Sequence, residues 1–463
     1  MKAQFALPCL LALLLAAGSI VCSSANAQAL RYRVTDLGTL GGPLANAFEI
    51  NNHGVIVGRA DIRIGEIQST NAFLWRDGQL QDLGSLNEFD TDSVAIDLNE
   101  AGEVVGAALG PDPEFPGALS GRPFFWSADT GMLDITPDPN QGGLGAASAI
   151  NAAGVVTGFW RDIGFRWSLD QGWAELPSLP DAFGSFSEPW AIDDAGTIVG
   201  RSFNASGRVV PVAWNADNEI RALPSFRSDG SGWARDINER GQIVGEISDP
   251  LGRTAPVLWQ DDAAELIDFL PGAQFDFGSA EGINNFGVIV GWNASVSVSG
   301  IPARGWIRDS DGRLFDLNDL IIDPEGIWEI RIPLAINDRG QIVGIAVKLD
   351  ADGIEIPGVA FLLDPVPEID CALDLSRDGR LDDDDLFVLR GALGTDRGDA
   401  DLNRDGRVDH LDLRQFLLRR ARGECTEITP ADSGAAEFST IKLLPTQDPA
   451  SYSQPAQRRT GSH

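Results

Sequence analysis

Two acidic segments in the C-terminal part of the chain carry oxygen-bearing residues at the same alternating positions. They read DLSRDGRLDDDD, starting at residue 374, and DLNRDGRVDHLD, starting at residue 401. A twelve-residue calcium loop places oxygen ligands at positions 1, 3, 5, 7, 9 and 12, with a backbone carbonyl at position 7 and glycine at position 6. The two segments supply Asp374, Ser376, Asp378, the Arg380 carbonyl, Asp382 and Asp385, and then Asp401, Asn403, Asp405, the Arg407 carbonyl, Asp409 and Asp412. The sequence therefore predicts two Ca²⁺ sites.

The alternative interpretation is a solvated acidic run, because the chain carries 68 acidic residues against 35 basic ones. That interpretation has to explain the same ligand pattern twice, with the second segment starting 27 residues after the first. Position 8 is apolar in both segments, as Leu381 and Val408, which suits a packed pair of loops. Amphipathic stretches follow at 386–393 and 413–420. We therefore expect a small α-helical domain of the EF-hand-pair type at 371–425.

The loop spacing and the aspartate at position 12 resemble type I dockerins, duplicated calcium modules that attach secreted proteins to cohesin-bearing partners. The resemblance covers 371–425 and implies calcium-dependent docking on an extracellular, cohesin-like protein. In that family, positions 10 and 11 govern partner choice, and here they are Asp383-Asp384 and His410-Leu411 instead of small hydroxyl residues. Another surface receptor and a purely structural metal role remain as alternatives.

The first 27 residues have the composition of a secretory signal peptide. A single basic residue, Lys2, precedes an apolar run and the small-residue site Ala25-Asn26-Ala27. A lipid-anchored alternative through Cys22 is disfavoured because Val21 stands where a small residue is needed. No later stretch has the roughly 20 apolar residues of a membrane span. We expect a secreted, extracellular protein without membrane insertion.

Cleavage changes the charge and the cysteine content of the chain. Loss of Lys2, with no acid, takes the formal net charge from −33 to −34. Such a charge repels nucleic acid and attracts divalent cations, although a saline or high-GC source also produces acidic chains. Cys371 and Cys425 then remain in an oxidising compartment and predict one disulfide that frames the calcium module.

The region 28–365 is built from seven copies of one pattern, of which AINDRGQIVG at 335–344 is the plainest. An apolar strand ends in Ile-Asn or a similar pair, a short Asn/Asp/Gly turn follows, and a Val/Ile strand leaves. The turn glycines are Gly54, Gly102, Gly154, Gly196, Gly241, Gly287 and Gly340. We expect asparagines such as Asn51, Asn151, Asn284 and Asn337 to act as turn residues. Their spacing is suited to four short strands in each copy.

Each copy also holds an aromatic strand and, in most copies, a strand built around Asp-Leu. Trp75 ends the first aromatic strand, whereas Trp306 lies out of register in the sixth copy. The chain begins with an Asp-Leu strand at 32–38 and ends the repeats with an aromatic strand at 359–365. These complementary ends predict that the first strand completes the last copy. The pattern favours a mainly β fold, a seven-bladed β-propeller of four-stranded blades, over an open solenoid.

The segments YRVTDLGTLGG, AFEINNHGVIVG and NAFLW resemble the HAF-type extracellular repeats of secreted bacterial proteins. This chain has Asn71 where the eponymous histidine would stand. The resemblance implies extracellular location and a propeller-like fold. It does not imply a defined biochemical role.

Outside the signal peptide the histidines are His53, His410 and His463, and none is placed for a Ser-His-Asp or Cys-His site. A carboxylate pair of the glycosidase type stays open, since the sequence does not locate one among so many acids. Between the domains, 366–370 forms a linker, and 426–463 has a disordered composition. We favour a non-catalytic, monomeric binding protein for an extracellular partner or polysaccharide. The alternative is a polysaccharide-active hydrolase or lyase.

Overall fold

The structure is a computed structural model that describes residues 31–366, except 65–66, 87–91, 116, 139, 229, 273–274, 296–301 and 324. It also describes 375, 383–395, 400, 402 and 407–421. The predicted signal peptide (1–27), most of the linker, both framing cysteines and the tail (426–463) lie outside the described residues. The fold is mainly β, with many strands and few helices.

The strands in the first half of the described chain are β1 (Tyr32–Asp36), β2 (Ala45–Ile50), β3 (Ile56–Ile64), β4 (Ile67–Arg76), β5 (Gln79–Gly84), β6 (Asp92–Leu98), β7 (Val104–Pro111), β8 (Leu119–Ser127), β9 (Gly131–Asp134), β10 (Gly145–Ile150), β11 (Val156–Trp160), β12 (Ile163–Ser168), β13 (Gly172–Glu175) and β14 (Ser187–Ile192). The following elements are β15 (Ile198–Phe203), β16 (Val209–Trp214), β17 (Ile220–Ala222), β18 (Gly232–Ile237), β19 (Ile243–Ser248), β20 (Thr254–Gln260), β21 (Ala263–Leu266), β22 (Phe277–Ile283), β23 (Ile289–Ala294), β24 (Arg304–Arg308), β25 (Leu314–Asp316), α1 (Leu317–Leu320), β26 (Ile321–Ile322), β27 (Trp328–Ile336), β28 (Ile342–Leu349), β29 (Glu355–Pro365), α2 (Asp383–Gly391) and α3 (His410–Ala421).

These strands pair mainly with their sequence neighbours in antiparallel sheets. β10 to β13 and β14 to β17 form two four-stranded sheets. Two eight-stranded sheets, β2 to β9 and β18 to β25, each contain one parallel junction, at Thr70–Asp92 and Thr254–Phe277. The remaining sheet has the order β26-β1-β29-β28-β27.

The first strand of the described residues lies in the same sheet as the last strand of the repeat region. β1 pairs antiparallel with β29, from Tyr32 opposite Pro365 to Asp36 opposite Phe361. The prediction that these complementary ends join is confirmed. The pairing gives the edge of β29 a partner and so removes an exposed sheet edge.

The asparagine turns form as the sequence predicts. The Asn51 side-chain oxygen accepts hydrogen bonds from the His53 and Val55 amides (both 3.0 Å), and the Gly54 amide donates to the Asn51 carbonyl (3.0 Å). Gly54 has φ +76°, which a residue with a side chain adopts at a cost. Asn151, Asn284 and Asn337 make the same bonds.

A second glycine of each pattern is required by close backbone contact. The first strand of every copy contains a register shift, such as that between Ala47 and Glu49. The second strand passes this bulge at Gly58, where a Cβ would overlap the Asn46 carbonyl oxygen. Gly344 stands in the same relation to the Ile332 carbonyl. The repeated Val-Gly pair in the second strand therefore indicates a β-bulge in the neighbouring first strand. Such a bulge reorients the side chains that follow it.

The core between sheets is filled by the aromatic strands. Phe73 lies opposite Gly58, and Trp306 lies opposite Gly291 in the sixth copy, both with no exposed surface. Trp306 thus fills the place of a phenylalanine, which explains its shifted register. Trp214 and Trp259 are also buried and donate their indole N–H groups to proline carbonyls (2.8 Å each).

The C-terminal helices α2 and α3 contact each other around Leu389, Val408 and Phe416, which are fully buried. Both helices begin at position 10 of their predicted calcium loop, a few residues before the amphipathic stretches. Among the described residues, no helix has the length and apolar character to cross a membrane.

Candidate functional site

The strands that lead into the asparagine turns contact one another in a cycle. These first strands are β2, β6, β10, β14, β18, β22 and β27; each contacts the next, and β27 contacts β2. At their ends, the asparagine side-chain amides donate to backbone carbonyls of the following copy. The bonds run from Asn51 to Asn99 (3.1 Å), Asn99 to Asn151 (3.2 Å), Asn151 to Asp193 (3.1 Å), Asn238 to Asn284 (2.9 Å), Asn284 to Asn337 (3.2 Å) and Asn337 to Asn51 (2.9 Å). We call this cycle the asparagine ring.

The asparagine ring is interrupted at one residue. Asp193 takes the asparagine position in the fourth copy and keeps its role as acceptor, since its carboxylate receives the Thr197 amide (2.6 Å). An aspartate side chain lacks the N–H group with which an asparagine donates. The link from this copy to the Asn238 carbonyl is therefore missing.

A second cycle, here called the acidic ring, is formed by the residues after the asparagines. Six of the seven backbone amides donate to the side chain of the next copy, at 2.8 to 3.1 Å: Asn52 to Glu100, Ala152 to Asp194, Asp194 to Glu239, Glu239 to Asn285, Asn285 to Asp338 and Asp338 to Asn52. The Glu100 amide is the exception, because Ala152 has no side-chain acceptor. Residues of both rings in copies one, five, six and seven, together with Glu100, line an opening of about 150 Å³. Because each side-chain acceptor already receives a backbone amide, we assign these residues to ring closure.

Three carboxylates lie above the rings, each two residues before the turn asparagine. Asp97 accepts from the amide of the following residue (2.7 Å) and from the Ile150 amide of the next first strand (2.7 Å). Asp236 makes the same pair of bonds, the second with Ile283 (2.8 Å). Glu49 accepts from its own following residue (3.0 Å). Asp97 and Asp236 therefore tie neighbouring first strands together, whereas the Glu49 bond stays within its own strand.

Burial disfavours the charged form of these carboxylates. It raises the pKa of Asp97 to about 7 and the pKa of Asp236 to about 6, although backbone hydrogen bonds oppose the shift. The pKa of Glu49 is raised well above its usual range, first by burial and then by the charges of Asp97 and Asp236. The charge of Asp236 also contributes to the raised pKa of Asp97.

A different set of side chains lies on β14, β15 and β18, further from the asparagine turns than the three first-strand carboxylates. The indoles of Trp190 on β14 and Trp233 on β18 stack, with centroids 6.0 Å apart and planes at 23°. The Arg201 guanidinium lies 3.7 Å from the Trp233 centroid. The Arg235 guanidinium lies 4.1 Å from Trp233 and 5.0 Å from Trp190. We call these four residues the Trp–Arg cluster.

Carboxylates surround the Trp–Arg cluster. Glu188 accepts two hydrogen bonds from Arg201, at 2.6 and 2.9 Å. Arg235 lies 3.7 Å from Glu246 and 3.8 Å from Glu281, which is too far for direct hydrogen bonds. Burial raises the pKa of Glu246, and the Glu281 charge adds to this, while Arg235 opposes it. The charged side chains here are 11 to 17% exposed, so solvent reaches them.

Two donors in the Trp–Arg cluster lack a partner among the described residues. Trp190 Nε1 and Arg235 Nε are buried atoms without a hydrogen-bond acceptor in reach. Buried donors in folded proteins are nearly always paired, with protein, water or ligand. The cluster can therefore receive an acceptor group from outside the chain.

The Trp–Arg cluster faces the end of the sheets opposite the asparagine turns, since Glu188 and Trp233 are the second residues of their strands. In antiparallel sheets, the loops before first strands and those between second and third strands lie at this same end. Phe183 and Leu251 stand on two such loops and are 73% and 78% exposed. This end combines apolar loop residues with a partly open cluster of aromatic and charged side chains.

The structure describes four of the twelve predicted calcium ligands: Asp385, Arg407, Asp409 and Asp412. Asp385 and Asp412, both at position 12, are completely buried. Asp409 accepts from the Leu411 amide (2.7 Å) and Asp412 from the Asp409 amide (2.8 Å), so these two acids order the start of α3.

The other predicted ligands lie outside the described residues: Asp374, Ser376, Asp378, Arg380, Asp382, Asp401, Asn403 and Asp405. Cys371 and Cys425 do so as well. Within the described part of the chain, no three His, Cys, Asp or Glu side chains are grouped to hold a metal ion. The calcium sites and the disulfide stay predictions.

The Trp–Arg cluster was not found by sequence reasoning. Its residues come from three different copies once the surrounding acids are included, and they are up to 93 residues apart, from Glu188 to Glu281. One signal was present. The position of Trp190 and Arg235 is occupied in other copies by residues such as Phe48, Ile96 and Ser148, so it does not follow the repeat.

No protein-family model matches the chain, and no curated protein matches it. Solved structures similar to it include a streptogramin B lyase, with 11% identity over 72% of this chain and 98% of that chain and a TM-score of 0.43. Virginiamycin B lyase from Staphylococcus aureus is 10% identical over 72% of this chain and 99% of that chain, with a TM-score of 0.45. A gluconolactonase from Xanthomonas campestris is 10% identical over 73% of this chain and 95% of that chain, with a TM-score of 0.34. The chain itself has a mainly β fold.

Proposed function

We propose that this chain is a secreted, non-catalytic binding protein built on a seven-bladed propeller of four-stranded blades. The cycle of contacts among the seven first strands supports the ring. The pairing of β1 with β29 supports a last blade assembled from both ends of the repeat region. In this arrangement the bulged first strands line the central channel, and the asparagine ring lies at one end of that channel.

The ligand of the propeller binds at the Trp–Arg cluster. The observation that carries this proposal is the stacking of Arg201 and Arg235 on Trp233, next to donors that have no partner among the described residues. Guanidinium groups held on an indole face are pre-ordered, so little side-chain entropy is lost when they meet a ligand.

The test is retention of extracellular material by the immobilised protein. Wild type, the double variant W190A/W233A and the control variant Trp328→Ala are exposed to proteins and glycans of culture supernatant. Trp328 is a first-strand tryptophan under Lys348 (4.9 Å), outside the cluster. We expect wild type and control to retain the same ligand and the double variant to lose it. Equal retention by all three folded proteins would exclude the cluster as the binding site.

The C-terminal module attaches the propeller to an extracellular surface or complex in a calcium-dependent manner. This proposal is supported by the two predicted calcium loops of the module. It is also supported by α2 and α3, each of which starts at position 10 of its loop. Asp383-Asp384 and His410-Leu411 begin these helices and are the candidate contacts with a cohesin-like partner or another surface receptor. His410 and Leu411 are exposed.

A polysaccharide-active enzyme is the second candidate function, favoured by the two acids beside Arg235. Glycosidases use two carboxyl groups, one of them kept protonated by its environment. The raised pKa of Glu246 and the proximity of Glu281 suit such a pair. Release of reducing ends or unsaturated sugars from a polysaccharide panel, abolished by Glu246→Gln or Glu281→Gln, would replace the binding proposal by this one.

A further inference from the structure

The ligand chemistry of the Trp–Arg cluster follows first from its unpaired donors. Trp190 Nε1 and Arg235 Nε are buried, belong to adjacent side chains and have no acceptor among the described residues. A ligand that supplies hydroxyl or carbonyl oxygens at this place satisfies two buried donors that would otherwise lower the stability of the protein.

The cluster also presents acceptors. Glu246 and Glu281 lie close to Arg235 without a direct hydrogen bond to it. Glu281 already accepts from Trp292 Nε1 (2.8 Å), which fixes one of its oxygens and orients the other. A ligand must therefore accept and donate within a few ångströms, as a hydroxyl group does.

Charge excludes an anionic ligand in favour of a neutral one. The cluster and its surroundings contain the three carboxyl groups Glu188, Glu246 and Glu281 against two guanidinium groups. Arg201 is already neutralised by Glu188 at 2.6 Å. The whole chain has a formal net charge of −33. A polyanion approaching this site meets repulsion at long range, and at contact the Arg235 charge is offset by Glu246 and Glu281 at 3.7 and 3.8 Å.

Two nearly parallel indoles give the apolar part of the site. Trp190 and Trp233 stack at 23°, and neither is fully buried. A flat C–H face with hydroxyl groups around its edge fits an indole flanked by donors and acceptors. Since both guanidinium groups already lie over Trp233, Trp190 is the indole left to carry a sugar. Resting on the proposed binding function, we infer that the Trp–Arg cluster is a subsite for a neutral saccharide, with Trp190 under the sugar ring and Arg235, Glu246 and Glu281 bonded to its hydroxyls.

The experiment uses affinity electrophoresis of the full mature chain in gels that contain one soluble polymer each. The neutral probes are a β-glucan, a galactomannan and an arabinoxylan, and the acidic probes are polygalacturonate and dextran sulfate. Variants are Trp190→Ala, Arg235→Lys and Glu281→Gln, with Trp328→Ala as the matched control, and circular dichroism verifies folding. We expect retardation by at least one neutral polymer, unchanged in the control and weakened at least tenfold by Trp190→Ala and Glu281→Gln.

The other outcomes separate this inference from the proposed function. Retardation only by acidic polymers, declining with salt, would overturn the neutral-saccharide assignment. No retardation by any polymer would overturn it too, whereas the binding function stands if supernatant protein is still retained through the cluster. If Glu281→Gln binds as wild type does while Trp190→Ala fails, the hydroxyl-bonding role is wrong.

Discussion

The side-chain amide of Asn337 donates a 2.9 Å hydrogen bond to the backbone carbonyl of Asn51, 286 residues earlier in the chain. Both residues lie in turns of the same local type, and each turn is satisfied internally without the other. The bond between them joins the last copy to the first. Together with the β1–β29 pairing it holds the two ends of the repeat region in contact.

Completion of the asparagine ring is expected to stabilise the protein. Asp193→Asn keeps the acceptor for the Thr197 amide and adds a donor for the Asn238 carbonyl. The gain should be about 1 kcal/mol, the usual net value of one hydrogen bond. The converse variant, Asn284→Asp, removes the donor to Asn337 and should lose at least as much. Urea unfolding measures both, and a destabilised Asp193→Asn would show that the ring does not limit stability.

The axial carboxylates should make the protein less stable as pH rises. Asp97 has a pKa of about 7 in the folded state and an ordinary value of 3.8, so between these values the native state holds a proton that the unfolded state has lost. Stability therefore falls as pH rises through this window and is level above it. Asp236, with a pKa of about 6, acts in the same direction over a narrower window.

Asp97→Asn tests this pH dependence. The variant has no proton to lose, so its Tm should change less between pH 5 and pH 8 than that of wild type. At pH 5 it should be less stable by about 1 kcal/mol, because an amide oxygen replaces two acceptor oxygens. At pH 8 the difference should shrink or reverse. Parallel Tm curves for the two proteins would show that Asp97 does not titrate in this range.

Calorimetry with Ca²⁺ should detect two sites on the mature chain. Asp378→Ala and Asp405→Ala should each remove one of them, since position 5 supplies a carboxylate ligand to each loop. Asp129→Ala, an exposed turn residue of the β region, is the control and should leave both. Absence of heat from wild type at micromolar protein would end the calcium prediction.

Gly58→Ala should destabilise the fold strongly. The new Cβ would overlap the Asn46 carbonyl and touch the Phe73 ring. The expected loss is about 3 kcal/mol, at the upper end of overpacking effects. Gly391→Ala at the end of α2 meets no neighbour and should change stability by less than about 1 kcal/mol. Similar midpoints of chemical unfolding for Gly58→Ala and wild type would mean that the bulge relaxes.

The local elements of this protein could be read from the sequence because each depends on nearby residues. The turn at Asn51 needs an acceptor side chain and a glycine three positions later, and both can be identified directly in the sequence. Gly58 and the buried Phe73 follow from the same copy. The joining of β1 with β29 could also be predicted, because each end lacks the strand type that the other supplies.

The contacts between copies were decided only by the tertiary structure. The second role of the turn asparagines, as donors to the next copy, depends on how the first strands meet, and the same is true of the pKa of Asp97. The Trp–Arg cluster arises because Trp190, Arg201 and Arg235 come from different strands that converge at the axis. Each residue alone is an ordinary strand residue, and its surroundings become a site through packing over distances that a local pattern does not encode.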